Sequence, residues 1–292
     1  KDESIFNESI DLAAVCEQDQ YGEWHTALSV ACQTGSFSYV NRLLISESVR
    51  KNAGSSDNRA LTVAASLGKV DVVRRLTEIA DVRNSLNNKY TFYEYLMSPI
   101  EKHHWAVVDL LMTFLRTDSM LRLVNMIVDG PTLEIGREGY LRLLANDAFR
   151  VAIEKKAKDQ SGSFLIGVGV NFDLLGVLID EVPICHKIAG AQNNCVLRAV
   201  LQFQKTELME KLLTLDDVKA EIKRDYENVV FKEAVRVGNK QIITRLLEID
   251  SIRLNALNAL EDVCEEASLA QGGSIADWLR NQLAPVNPCR PS

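Results

Sequence analysis

The phrase TALSVACQTGSFSYVNRLL, Thr26 to Leu44, returns 33 residues later as RALTVAASLGKVDVVRRLT, Arg59 to Thr77. Counted from Leu28, small or apolar residues stand at +3 (Ala31), +7 (Gly35), +12 (Val40) and +15 (Leu43). The same offsets from Leu61 reach Ala64, Gly68, Val73 and Leu76; from Phe231 they reach Ala234, Gly238, Ile243 and Leu246. From Leu197 they reach Val200, Gln204, Met209 and Leu212, and Leu197 and Phe231 are 34 residues apart. A repeat of this period marks one supersecondary unit that cannot bury its own apolar face, so the chain must build an array in which each unit completes its neighbour's core.

Within a unit, the apolar residues at the key position and +3 share one face of a short helix, and those at +12 and +15 share one face of a second. Each unit is expected to be a helical hairpin. The glycine at +7 stands where the first helix must stop, because a left-handed terminal residue costs least without a Cβ. Asn58, Asn194 and Asn228 lie three residues before a key, and Asn146 precedes Phe149 in the same way. Each is expected to cap a helix start through its side-chain oxygen. Val49, Val82, Val218 and Ile252 follow six residues after the +15 position, each trailed by Arg50, Arg83, Lys219 or Arg253. These read as apolar plugs under connecting loops, with a basic residue near a helix C-terminus.

The residues Thr26, Leu28, Ala31, Gly35, Val40, Leu43 and Leu44 resemble the TPLHLAA, glycine and VVxLLL elements of the ankyrin repeat. The resemblance implies an all-α, ankyrin-like solenoid of helical hairpins. Ala27 stands in place of the family proline and Ser29 and Thr62 in place of its histidine, while the usual Asp and Gly turn residues are sparse. Short irregular loops are therefore expected instead of regular β-hairpin fingers. The organisation reads as an N-terminal cap (1–23), repeats 1–3 (24–116), an inserted helical segment (117–145), repeats 4–6 with the first expanded (146–258), a C-terminal capping repeat (259–283) and a tail (284–292). Endings such as LLEIDSIRLNA resemble those of ankyrin arrays in bacterial proteins delivered into host cells.

Several function classes fall away on composition. With 47% hydrophobic and 25% charged residues the chain can build a core, and a net charge of −7 offers no general footprint for nucleic acid or an anionic membrane. The six cysteines show no CxxC spacing and read as buried, reduced thiols. The most apolar run, Phe164 to Ile179, contains Asp173 and three glycines and is too short to span a bilayer, so buried core is expected. The chain opens on Lys1 without an apolar signal segment, as expected of a piece of a longer protein in the cytoplasm.

No constellation for catalysis emerges. Cys185 and His186 are adjacent, but neighbours on one backbone rarely face each other, and Cys–His catalysis recruits its imidazole from elsewhere in a fold. His103 and His104 lack the i, i+4 spacing of a helical metal site and read as a solvated helix start. The glycines at Gly167 and Gly169 lack a following Gly-Lys-Ser/Thr or a third dinucleotide glycine. The pairs Asp216–Asp217 and Glu265–Glu266 read as solvated faces. The expectation is a non-enzymatic chain without cofactor or metal.

The resemblance implies a protein–protein interaction module. Its binding face comes from the residues at +5 and +6 and from the loops preceding each key. Here these are Gln33, Thr34, Ser66, Leu67, Gln202, Phe203, Arg236 and Val237, with Trp24, His25, Tyr90 and Tyr226 in the loops. The expected partner is another protein, a host protein if the likeness to delivered bacterial proteins carries, with the host cytoplasm as the place of action. Nucleic acid and membrane insertion are not expected. The alternative is a targeting or regulatory domain of a larger enzyme whose catalytic part lies outside the chain.

Overall fold

The computed structural model describes residues 16–18, 24–87, 92–130, 134–160, 162–168, 171–225, 228–258, 261–265 and 274–283. These residues are almost wholly helical. The exception is an antiparallel pair, β1 (Cys16–Gln18) with β2 (Trp24–Thr26), leading directly into the first helix. Among the described residues, no helix is long and apolar enough to cross a membrane.

The chain divides into two compact units: residues 1–127 with 133–152, and residues 128–132 with 153–292. In the first, α1 (Ala27–Thr34) and α2 (Phe37–Leu43) form a hairpin completed by a short third helix, α3 (Glu47–Lys51). The pattern returns as α4 (Ser55–Ser66), α5 (Val70–Thr77) and α6 (Ala80–Ser85), then as α7 (Phe92–Glu101) and α8 (Trp105–Met112). First helices pack on first helices, α1 on α4 and α4 on α7, while α5 packs between α2 and α8. Leu28, Leu61, Ala31, Ala64, Val40, Val73, Leu43 and Leu76 are all buried, as the offsets required. Each such Val or Leu side chain contributes on the order of 1.5–3 kcal/mol when fully removed from water.

The connections after α2 and α5, and two more in the second half of the chain, differ from expectation: each is a third helix, not an irregular loop. Val49, Val82, Val218 and Ile252 are buried on these helices, so these four repeats each contribute three helices to the core. The basic residue behind the plug has a defined task. Arg83 Nη1 donates to the carbonyl of Thr77 at 3.2 Å, and Arg150 Nε donates to that of Leu144 at 3.2 Å, each six residues back at the end of the preceding helix. These are carbonyls that the helix itself leaves without donors.

Arg150 also reveals a repeat that the offsets hid. The chain continues with α9 (Thr117–Asp129), α10 (Gly136–Leu144) and α11 (Asp147–Gln160). Tyr140 and Leu143 are buried on α10, and Phe149 is buried at the start of α11, nine residues past Tyr140. The spacing from Val40 to Val49 and from Val73 to Val82 is the same. Residues 134–150 therefore supply a second and a third helix, and Phe149 is a third-helix plug, not the first-helix key of an expanded repeat.

In the second unit the true key is Phe164, buried and 33 residues before Leu197. Its helices are α12 (Gly162–Val168), α13 (Phe172–Glu181) and α14 (Pro183–Ile188). The described part of the Phe164–Ile179 run is thus a buried hairpin, as expected. Then come α15 (Ala191–Gln202), α16 (Thr206–Thr214) and α17 (Asp216–Arg224), followed by α18 (Val229–Val237), α19 (Lys240–Leu247) and α20 (Asp250–Asn258). Here α15 packs between α12 and α18, and α17 between α14 and α20. A last helix, Ser274–Leu283, buries Ile275, Ala276, Leu279 and Leu283.

Asn58, Asn194 and Asn228 depart from their expected role. All three have left-handed backbones, with φ of 61°, 55° and 56°, and all are buried. Asparagine tolerates this conformation better than other side-chain-bearing residues, so it serves the turn into the first helix through its backbone. Asn228 makes no side-chain cap bond. Asn146 does what was expected of the group, its Oδ1 accepting from Phe149 N at 3.1 Å.

Second helices are also tied across repeats. Arg75 Nε donates to Asn41 Oδ1 at 2.9 Å, Arg142 pairs with Asp109 at 3.3 Å, Lys211 with Asp180 at 2.8 Å and Arg245 with Glu210 at 3.2 Å. These exposed pairs contribute little each, ~0.2–1 kcal/mol, but together they favour one register between neighbours.

Candidate functional site

The expected binding residues at +5 and +6 lie where first helices end and the hairpins turn. There the backbone is left-handed at +7 in every unit that fits the offsets: Gly35 (69°), Gly68 (68°), Gln204 (54°) and Gly238 (76°). His103 (59°) holds the corresponding place in the unit keyed on Leu96, whose Val108 and Leu111 are buried at +12 and +15. The geometry persists where glycine has been replaced, so the tip conformation is a property of the unit.

In the first unit Gln33 and Thr34 are exposed, and Thr34 turns its hydroxyl back to Ala31 O at 2.8 Å. Ser66 is half-buried, with its hydroxyl on Val63 O at 3.1 Å and its carbonyl accepting from Lys102 Nζ at 3.3 Å. Leu67 remains 41% exposed beside it. Successive tips interlock. A Cβ on Gly35 would stand 2.6 Å from Lys69 Cε, and one on Gly68 would stand 2.8 Å from His104 Nδ1. In these two pairs the residue at +8 of one repeat lies over the +7 glycine of the repeat before it. Trp105 continues the row, edge-on to His103 at 5.8 Å and with the Arg142 guanidinium 5.9 Å from its ring.

In the second unit Gln202, Phe203 and Arg236 are exposed and Val237 is half-buried. Phe203, 53% exposed, leans on Phe172 with ring centroids 5.2 Å apart, and Lys205 Nζ stands 5.3 Å from the same Phe172 ring. Gln202 and Arg236, from adjacent repeats, meet at Glu233. Arg236 holds it in a two-point pair at 2.5 and 3.1 Å, and Gln202 hydrogen-bonds to it. Partial burial pushes the Glu233 carboxyl upward. The bonds from Arg236 and Gln202, with the charges of Arg236 and Arg198, outweigh this and hold it below its ordinary range. Phe203 thus packs against Phe172, and Arg236 pairs with Glu233.

The loop residues are less well served. Trp24 and His25 lie on β2, opposite Gln18 and Glu17. Tyr90 and Tyr226 fall outside the described residues. The residues that sequence reasoning missed are Phe172, Lys205, Lys69 and His104, all at +8, and Glu233. The signal of the first four was available in the row at +8, one step past the glycine offset; Glu233, at +2 from Phe231, has no such signal.

The groups considered for chemistry have structural work. Cys185 is fully buried, and burial, reinforced by the charge of Glu154, pushes its thiol up to about 12. Its neighbour His186 is turned to the carbonyl of Ile179. Cys32, also buried, is pushed up to about 12 by burial. Such thiols are poor nucleophiles because the thiolate is scarce. Asn171, in the glycine-containing stretch, caps α13 by accepting from Leu174 N at 3.1 Å. Asp216 and Asp217 occupy the first turn of α17, where the helix dipole favours them. Among the described residues no cluster of His, Cys, Asp and Glu could hold a metal ion.

No protein-family model matches the chain, and neither the curated proteins nor the solved structures contain a match to it.

Proposed function

We propose that this chain is a divergent ankyrin-like repeat array that binds a partner protein through its first-helix ends and hairpin tips. The observation that carries the reading is Phe203. Its repeat buries Leu197, Val200, Leu201, Met209 and Leu212 almost completely, yet leaves this phenyl ring 53% exposed on a helix end braced by Phe172. A rigid, half-exposed aromatic beside charged groups suits an interface anchor, and anchors of this kind can contribute ~2 kcal/mol or more. The braced polar set Gln202–Glu233–Arg236 supplies a rim of fixed donors next to it.

Binding is the activity we assign to this arrangement, since its polar groups, Gln202, Glu233 and Arg236, are engaged with one another at helix ends. The likeness of the repeat endings to delivered bacterial proteins makes a host protein the proposed partner. The test is affinity capture with the purified chain from host-cell lysate, identified by mass spectrometry. A partner lost on Phe203→Ala with Arg236→Glu supports the reading; capture indifferent to both changes counts against it.

A further inference from the structure

Charge in the second unit is divided between its layers. The first helices and tips of its last two full repeats, residues 191–206 and 229–240, carry Arg198, Lys205, Lys232, Arg236 and Lys240 against the single acid Glu233. That one carboxylate is already committed to Arg236 and Gln202. The second and third helices of the same repeats show no such bias, with Glu207, Glu210, Asp216, Asp217 and Glu221 on α16 and α17 answering their lysines. In a chain with net charge −7 these helices and tips thus carry a local excess of positive charge around the exposed ring of Phe203. There Phe203 is half exposed, Lys205 stands over Phe172, and Lys240 Nζ lies 5.8 Å from the Trp278 ring.

We propose that this surface receives an acidic peptide segment carrying an apolar side chain, the carboxylates meeting Lys205, Arg236 and Lys240 and the apolar group resting on Phe203 and Phe172. The inference rests on the protein-binding reading above and gives its partner a chemistry. Carboxylates opposite Arg and Lys form charge-assisted hydrogen bonds and speed encounter, and the aromatic pair adds area that a purely ionic contact lacks. A polynucleotide would meet the same charges, but the local excess is small and the rest of the chain is acidic, which opposes a ligand charged along its whole length.

The experiment is a random-sequence peptide array screened with the labelled full chain, followed by anisotropy titrations of the enriched peptides and of an oligo(dT) of equal charge. Enrichment of Asp/Glu-rich peptides with an aromatic or aliphatic residue is expected. Their affinity should fall about tenfold or more on Lys205→Glu and on Phe203→Ala, weaken as salt rises, and stay unchanged on Lys223→Glu, an equal charge reversal on exposed α17. Enrichment of neutral or basic peptides that still depend on Phe203 overturns the acidic partner and leaves the protein-binding reading standing. Peptide binding indifferent to Phe203, Lys205 and Arg236 overturns both. Oligo(dT) binding more tightly than every acidic peptide, and lost on Lys205→Glu, overturns the proposal in favour of nucleic acid. Circular dichroism melts of each variant separate lost binding from lost fold.

Discussion

The imidazole of His104 packs where Gly68, one repeat earlier, would carry a side chain: a Cβ there would stand 2.8 Å from Nδ1. Gly68 is also left-handed, with φ of 68°. Strain and steric contact therefore act on the same atom, and they can be separated. Gly68→Val should cost about 2–3 kcal/mol from the backbone conformation and the clash combined. Gly68→Ala in a His104→Ala background should recover the steric part and retain a strain cost of ~1 kcal/mol. Urea denaturation of the four-member cycle measures the coupling; additive effects would mean that His104 does not close on Gly68.

Gly190 makes a second close approach, this time to backbone. A Cβ on it would lie 2.5 Å from Asp217 O, at the start of α17. Gly54 holds the same place seven residues before its key, but its added Cβ would meet Asp81 at an ordinary 3.5 Å. Gly190→Ala should thus destabilise the chain by ~1–3 kcal/mol, whereas Gly54→Ala should be nearly neutral. Equal effects at the two sites in chemical denaturation would contradict the packing described for the third helices.

These glycines show what could be read in the sequence and what could not. The buried positions at key, +3, +12 and +15 followed from period alone, because helical spacing decides which side chains share a face. The third helices were hidden: five to nine residues with one or two buried apolar side chains carry too little periodicity to be distinguished from a loop. The repeat keyed on Phe164 was hidden because its second helix is set one residue early, with Leu175 and Leu178 buried where the template looks for 176 and 179. Asparagine before a key was recognised as a turn residue, but capping and left-handed backbone are two uses of the same side chain. The candidate face was legible in part: Gln33, Thr34, Leu67, Gln202, Phe203 and Arg236 are exposed, while the bracing by Phe172, Lys205 and Glu233 depends on packing between repeats.

Asn228 offers a test of that distinction. With φ of 56° and no side-chain cap bond, it is placed there for its backbone. Asn228→Gly should stay within a few tenths of a kcal/mol of the parent, and Asn228→Ala should lose about 1–2 kcal/mol. A loss on Asn228→Gly as large as on Asn228→Ala, measured by thermal unfolding with calorimetry, would return the role to the side chain.

The thiols of Cys32 and Cys185 carry a pH dependence whose sign is determined. Each is raised from 9.0 to about 12 by burial, so between these limits the folded state keeps a proton that the unfolded state has lost. Stability from these groups is complete below pH 9 and is lost as pH rises toward about 12. At pH 8, iodoacetamide should leave both residues unmodified in the native chain and label them once denaturant is added, while half-buried Cys195 reacts earlier. Residue-resolved mass spectrometry reads the order; prompt native labelling of Cys185 would contradict its burial.

Partner capture by matched surface variants decides whether the first-helix ends bind. Phe203→Ala with Arg236→Glu should abolish capture of the partner protein while leaving helical content unchanged and the melting temperature within a few degrees, since both side chains are exposed. Arg74→Glu with Lys223→Glu alters exposed residues on a second and a third helix, avoids the Arg245 pairs with Glu210 and Glu248, and should capture the partner as the parent does. Loss of capture by this control, with capture retained by the Phe203 and Arg236 variant, would place binding on the second and third helices and contradict the assignment to first-helix ends.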